Sequence, residues 1–359
     1  MKKNKSVYNI IVSILAIIGC FQVFTFSKKI IDVNFDTGLF YVAKSHDIPQ
    51  EISFCGEEVP LDSKDIVERL DKEMIKNTYW HSSILLFYKR SGKYFPVIEP
   101  ILKKNNIPND FKYLAIAESG LDNVVSPAGA RGFWQFMEKT GKEYNLEINK
   151  EVDERYHLEK STQAACDYLN DAYKKFGSWT LVAASYNMGM YGLEKSLKRQ
   201  KVKSYYDLLL NSETSRYVFR IIAYKTILEN PSLYGYNLKS SEKYIPLKYS
   251  TVSIDTSVAD FAEFAVQKNI NYKILKLANP WLRQKYLKNE NQKNYVLKIL
   301  NSEFKVYTNY DTLLSDSNHQ KLIVPIDSMV YETLDSLQKS QLINADTIKT
   351  EANLEKPKK

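Results

Sequence analysis

Glu118 closes an apolar helical run, "FKYLAIAES", just before Gly120, and that placement suits it for acid chemistry. The C-terminal end of a helix carries partial negative charge and attracts Lys, Arg or His rather than a carboxylate. Leu114 and Ala115 one turn before, and Leu121 one turn after, put Glu118 on a face expected to look toward a core. Both effects raise a carboxyl pKa, and a carboxylic acid held protonated near neutrality is what a general acid requires. Taken alone, the residue reads more readily as an exposed carboxylate on a frayed last turn, so its company decides.

Two other stretches combine odd placement with capable side chains. In "SPAGARGFWQFM", Ser126, Pro127, Gly129 and Gly132 make a tight turn that lets backbone approach a ligand, and Gln135 supplies both a donor and an acceptor. The same stretch reads as a plain loop whose Phe133, Trp134 and Phe136 are core. In "ASYNMG", Tyr186 and Asn187 fall at the end of a helix stopped by Gly189, which a packed Tyr and a C-terminal Asn would also explain. A second carboxylate to pair with Glu118 is not evident: Asp122 has no assured position opposite it, and Glu138 lies past the Gln135 turn.

Read in order, Glu118-Ser119, the "GFWQ" of 132 to 135 and the "YNMG" of 186 to 189 resemble the lytic transglycosylases that cleave bacterial cell-wall glycan. "IPNDFKYLAIAES", "DERYHLEKSTQAACDYL" and the leader "KYFPVIEPIL" are similar to that family too, above all to its membrane-bound type D branch, over roughly residues 60 to 235. Phe133-Trp134 departs from the Leu-Met that many members carry before the Gln. The resemblance implies a goose-type-lysozyme-like helical fold and a reaction that one carboxylate can run. Glycosidases in general flank the bond with two carboxylates. In this family the glutamate, here Glu118, protonates the leaving oxygen and then takes the proton of the sugar's own 6-hydroxyl, leaving 1,6-anhydro-N-acetylmuramic acid ends without consuming water. Carried over, Ser126 and Gln135 hydrogen-bond the sugar and its acetamido groups, Tyr186 holds the carboxylate or the transition state, and Asn187 braces the site. A lysozyme-like muramidase using water, and a non-catalytic peptidoglycan-binding protein, are the alternatives.

These residues need a helical frame. Ile66, Val67, Leu70, Met74 and Ile75 recur at three- and four-residue spacings, and helical runs continue to about Glu229, with breaks expected at Gly92 and Pro100. Asn109 and Asp110 are candidate caps for "FKYLAIAES", Ser178 and Thr180 for "WTLVAASYNMG", and Gly177 ends the amphipathic helix before it. Pro231, Gly235 and Pro246 then break the period, and a Val/Tyr/Ile alternation follows. The expected fold is mainly α: a lysozyme-like catalytic domain over 63–235 and a small α+β region over 249–310. The latter holds strand, two short helices, strand "NYVLKIL" and strand-like "FKVYTN". It resembles the LysM-type modules that bind glycan, although Leu275, Leu277 and Pro280 serve equally as packing in a structural cap. Residues 28–62 read as linker or leader, and 311–359 as a C-terminal segment ending in a disordered tail.

The chain has 359 residues, 44% hydrophobic and 26% charged, enough for one large or two modest cores. Its net charge of +8 favours an anionic surface, but the Lys residues are scattered without a basic stripe, so no nucleic acid is expected. Residues 1–27 place Lys2, Lys3 and Lys5 before 19 mostly apolar residues, Tyr8 to Phe26, as a membrane-targeting segment does. Lacking a clear small-residue cleavage site, it reads as an uncleaved signal anchor, while "IIGC" at Cys20 also fits a lipoprotein signal. The expected location is the periplasmic face of the cell envelope, with peptidoglycan strands as partner and other wall enzymes as candidate associates. His46, His81, His157 and His319 are dispersed, and neither metal nor cofactor is expected.

Overall fold

The computed structural model describes residues 45–300. The expected membrane segment over 1–27, the "FKVYTN" strand and the C-terminal tail lie outside them. Among the described residues no helix is long and apolar enough to cross a membrane.

In chain order the elements are β1 (Ser53–Phe54), β2 (Glu57–Glu58), α1 (Lys64–Thr78), α2 (His81–Lys104), α3 (Lys112–Ser119), α4 (Glu138–Glu143), α5 (Leu158–Phe176), α6 (Trp179–Met188), α7 (Met190–Gln200), α8 (Ser212–Glu229), β3 (Tyr249–Ile254), α9 (Phe261–Gln267), α10 (Tyr272–Ala278) and β4 (Tyr295–Leu300). The protein is mainly α, as the periodicity predicts. They form two compact units. The first takes the described residues up to Phe95, then Glu99–Leu121 and Cys166–Tyr244; the second takes Pro96–Ile98, Asp122–Ala165 and the chain from Ile245 onward.

The first unit is built around α8, against which α1, α3 and α6 all pack. Asn211 caps its N-terminus by accepting from the Thr214 N–H at 2.9 Å. Tyr217, Val218, Phe219, Ile221, Ile222, Ala223 and Tyr224 are all buried, so the helix is covered on nearly every side, which suits a central helix rather than a surface one. Cys166 is buried in α5 as a small hydrophobe.

Three local expectations are corrected. The α2 helix runs through Gly92, Pro96 and Pro100 without a break. The prolines cannot donate helix hydrogen bonds, but Ile98 and Leu102 are fully buried and their packing carries the helix past them. Gly92 serves close approach: a Cβ there would stand 2.5 Å from that of Lys243. Asp110 does not cap α3; its carboxylate accepts from the Cys55 N–H and the Lys225 ammonium, both at 2.7 Å, while a 3-10 turn over Asn109–Phe111 leads into the helix. Ser178 does cap α6, but Thr180 donates both its N–H and its hydroxyl to Glu57.

That Glu57 belongs to a hairpin inside the stretch expected as linker or leader. β1 and β2 pair antiparallel through Cys55 and Gly56, both at positive φ as a two-residue turn requires. Phe54 is fully buried with its ring 5.5 Å from Phe111, and the Glu57 carboxylate also takes the Trp179 N–H and the Ser178 hydroxyl. A carboxylate at a helix N-terminus is favoured by the helix dipole as well as by the bonds it accepts. Replacing Glu57 by Ala is therefore expected to destabilise the first unit by about 2 kcal/mol. Thermal melts beside a Glu57→Gln control would show it, and an unchanged Tm in the Ala variant would contradict it.

The second unit contains a two-stranded antiparallel sheet of β3 and β4, Tyr249 opposite Leu300 through Ile254 opposite Tyr295, with α9 and α10 between them in sequence. Phe261, Leu275, Trp281 and Leu297 are buried in its core.

Candidate active site

α3 ends as its sequence suggests. Ser119 is its last residue, Gly120 adopts the left-handed conformation at φ 62°, and Leu121 follows at φ 57° although it has a side chain and is fully buried. Gly120 adopts this conformation without cost, but Leu121 makes a strained exit that the surrounding packing must hold. Arg90 holds it by donating to the Gly120 carbonyl at 3.0 Å.

Glu118 opens into a cavity of about 520 Å³ within the first unit, walled by α1, α2, α3 and α8. Trp80, 53% exposed, and Leu86 lie on its apolar side; Lys76, Arg90, Arg216 and Arg220 contribute positive charge. Burial pushes the Glu118 carboxyl up to about 7, against the opposing pull of a Tyr217 hydrogen bond and the Arg220 charge. The Tyr217 hydroxyl donates to Glu118 Oε1 in a short hydrogen bond. Burial first and the Glu118 charge second hold the phenols of both Tyr217 and Tyr186 well above their ordinary range, so both are neutral donors at neutral pH.

The other carboxylate in this cavity is Glu73, only 1% exposed. It accepts from Arg216 Nε at 2.5 Å and lies 3.9 Å from Arg220 Nε, with Asn77 also within reach at 3.4 Å. A buried carboxylate so engaged is a structural ion pair, since releasing it would leave uncompensated charge. Of the cavity's two carboxylates, Glu73 is thus engaged by arginine and Glu118 by the Tyr217 hydroxyl.

Tyr186 and Asn187 sit at the end of α6, in the same unit as Glu118. The Tyr186 ring meets Tyr168 edge-on at 5.1 Å. Asn187 Oδ1 accepts from the Thr214 hydroxyl at 2.7 Å, tying the end of α6 to the first turn of α8, two turns or less from Tyr217. Tyr217, which the sequence reading missed, is bonded to the carboxylate. In "SRYVFRIIAY" it is one apolar-face residue among many; the available signal was Arg216 and Arg220 on the same helix, which in a buried setting demand an acidic partner.

Ser126 and Gln135 belong to the second unit. Ser126 Oγ accepts from the Ala130 N–H at 3.0 Å and the Ser126 N–H donates to the Ala130 carbonyl at 2.9 Å, closing a tight loop. Gln135, at φ 49°, turns its amide nitrogen inward, donating to the carbonyls of Gly132 at 2.7 Å and Val124 at 3.1 Å. Gln135 therefore locks the turn with its donor side. Gly132 is indispensable: at φ 80°, a Cβ there would lie 1.9 Å from the Arg155 carbonyl oxygen. Phe133, Trp134 and Phe136 are all buried, with Trp134 Nε1 donating to Thr162 Oγ1 at 2.9 Å.

Residues 95–209 match the family model "Transglycosylase SLT domain". Residues 250–303 match "Soluble lytic transglycosylase C-terminal LysM-like domain". The membrane-bound lytic murein transglycosylase D of Escherichia coli K12 is 30% identical over 222 residues, 59% of this chain and 48% of that protein. The chain thus spans about half the length of the curated relatives it matches. Two solved structures, an inactive variant of lytic transglycosylase Slt from Pseudomonas aeruginosa and the 70 kDa soluble lytic transglycosylase from Escherichia coli, align at a TM-score of 0.32 each, with 16% and 22% identity. They cover 43% and 42% of this chain and 26% of either neighbour.

The raised carboxyl has a consequence for stability. Between the ordinary carboxylate value near 4.5 and about 7, Glu118 is protonated in the fold and ionised in the unfolded chain. The fold therefore binds the extra proton, and stability falls as pH rises through that window. Glu118→Gln keeps the neutral shape and removes the loss. Its expected gain is up to about 3 kcal/mol above pH ~8 and close to nothing at pH ~4, read from melts at the two values. An equal gain at both would contradict a raised pKa.

Proposed function

We propose that this chain is a peptidoglycan lytic transglycosylase, which cleaves the β-1,4 bond between N-acetylmuramic acid and N-acetylglucosamine without water. The observation that carries the reading is a single exchangeable carboxyl, Glu118, poised near 7 in a cavity whose other carboxylate is held by arginines. The match of residues 95–209 to the transglycosylase domain supports it independently.

Glu118 begins protonated and gives its proton to the bridging oxygen as the bond from that oxygen to the anomeric carbon breaks. The departing sugar leaves with a free 4-hydroxyl. Charge developing on the ring is shared with the 2-acetamido group, and the new Glu118 carboxylate is steadied by the hydroxyl of Tyr217. The carboxylate then accepts the proton of the 6-hydroxyl as that oxygen bonds to the anomeric carbon. The product is the 1,6-anhydro end, and Glu118 is returned to its acid form. A residue that is acid and then base is best served by a pKa near the working pH, which burial supplies. Ser126 and Gln135 contribute hydrogen bonds to the sugar, and Asn187 fixes α6 against α8.

Mass spectrometry of soluble products from purified peptidoglycan tests this. The expected sugar ends are lighter by one water than reducing ends, and Glu118→Gln makes none. Reducing ends from the wild type would establish a hydrolase instead, and no products from a folded wild type would leave a binding protein. The reading also places the enzyme on the periplasmic face of the envelope, tethered by residues 1–27. The full chain is then expected in the membrane fraction, and a chain whose residues 1–27 are replaced by a cleavable secretory signal in the soluble periplasm; a soluble full chain would overturn the tether.

A further inference from the structure

Between α4 and α5 the chain forms a segment, residues 147–157, that is bound on two sides within the second unit. On one side lies the LysM-like module. Val152 bridges to Leu282, the Asp153 N–H donates to the Trp281 carbonyl at 2.9 Å, and the Arg283 N–H donates to the Glu151 carbonyl at 2.7 Å. Val152 and Tyr156, 1% and 4% exposed, belong to the same hydrophobic core as Phe261, Leu275, Trp281 and Leu297. The Arg283 guanidinium stands 4.2 Å over the Tyr156 ring, and Glu147 receives the Tyr295 hydroxyl at 2.9 Å and pairs with Lys293. A continuous core and main-chain bonds of this kind mark an integral part of a domain, not a module on a loose tether.

On the other side lies the turn that carries Ser126 and Gln135. Asp153 and Arg155 are each 3% exposed and form a bidentate pair, Arg155 Nε to Oδ1 at 2.9 Å and a terminal nitrogen to Oδ2 at 2.8 Å. The remaining guanidinium nitrogen donates to the carbonyls of Phe136 at 3.3 Å and Gly129 at 3.4 Å, spanning both arms of the turn. Arg155 also presents the carbonyl against which Gly132 packs. Asp153 is the joint: its N–H is fixed by the module and its carboxylate aims Arg155.

We propose that the LysM-like module is a positioning element for the sugar-binding turn, acting through Asp153 and Arg155. The functional consequence rests on the reading of Ser126 and Gln135 as substrate contacts; the mechanical link does not. The module then does more than add affinity for polymer. Loosening it is expected to slacken a turn more than 100 residues earlier in the chain.

Hydrogen exchange on the full chain, read by mass spectrometry, tests the link with Trp281→Ala and Arg155→Lys. Trp281→Ala weakens the module's core, and exchange over 124–136 is expected to quicken on the order of tenfold while 112–119 in the first unit keeps its rate. Arg155→Lys keeps the charge and loses the forked geometry, so 124–136 is expected to quicken by a similar factor while 255–300 stays protected. A module loosened by Trp281→Ala with 124–136 unchanged would overturn the proposal. So would an unchanged turn in Arg155→Lys, which decides the matter should the Trp281 variant fail to fold. On short soluble glycans both variants are expected to raise KM several-fold; a KM raised only on whole sacculi would mean polymer retention instead. Exchange is read without any glycan chemistry, so an inactive wild type would fault the proposed reaction and leave the link standing or falling by itself.

Discussion

The structure turns on one half-buried carboxyl. Glu118 occupies the end of a helix that repels its charge, among side chains that strip part of its hydration, and both disfavour ionisation. The fold contains the resulting strain by surrounding α3 with helices that have independent reasons to be where they are. α8 is the chief of these, buried on nearly all sides and capped by Asn211, and it delivers Tyr217 to the one oxygen that needs a donor when Glu118 ionises. The opposition is instructive: burial favours the acid and Tyr217 favours the base. A group held between the two can serve as both.

The same helix solves a second electrostatic problem. Arg216 and Arg220 line the same cavity as Glu118, and the Arg220 charge favours its ionised form. Glu73, on α1, pairs with Arg216 and lies near Arg220 in a buried cluster, while the Arg220 charge lowers the Glu118 pKa by less than burial raises it. A second acid so paired differs from the unpaired second carboxylate that a two-carboxylate glycosidase uses.

How much of this was legible in the sequence follows from the range of each interaction. The helix over 112–119 and its stop at Gly120, the Ser178 cap and the turn of Ser126 to Gln135 are set by neighbours within a few residues, and spacing reveals them. So does the anomaly of Glu118, because its conflict with the helix end and its apolar neighbours is local. Tyr217, Glu73 and the Asp153–Arg155 pair were not legible as a site. Tyr217 reaches Glu118 across 99 residues and Arg216 reaches Glu73 across 143, distances over which one sequence carries no register. The α2 helix misled for the opposite reason: Gly92 and Pro100 are strong local breakers, and packing at Ile98 and Leu102 overrode them. Asp110 likewise looks like a cap and is an anchor for Lys225 and Cys55.

The claim beneath all of this is that Glu118 is an acid near neutrality in the resting protein. Carbon-13 NMR of glutamate side chains, with Glu118→Gln to assign the resonance, titrates it directly. A midpoint near 7 is the result this account predicts. A midpoint in the ordinary range near 4.5 would mean an ionised carboxylate at working pH, and the proton for the leaving oxygen would have to come from elsewhere.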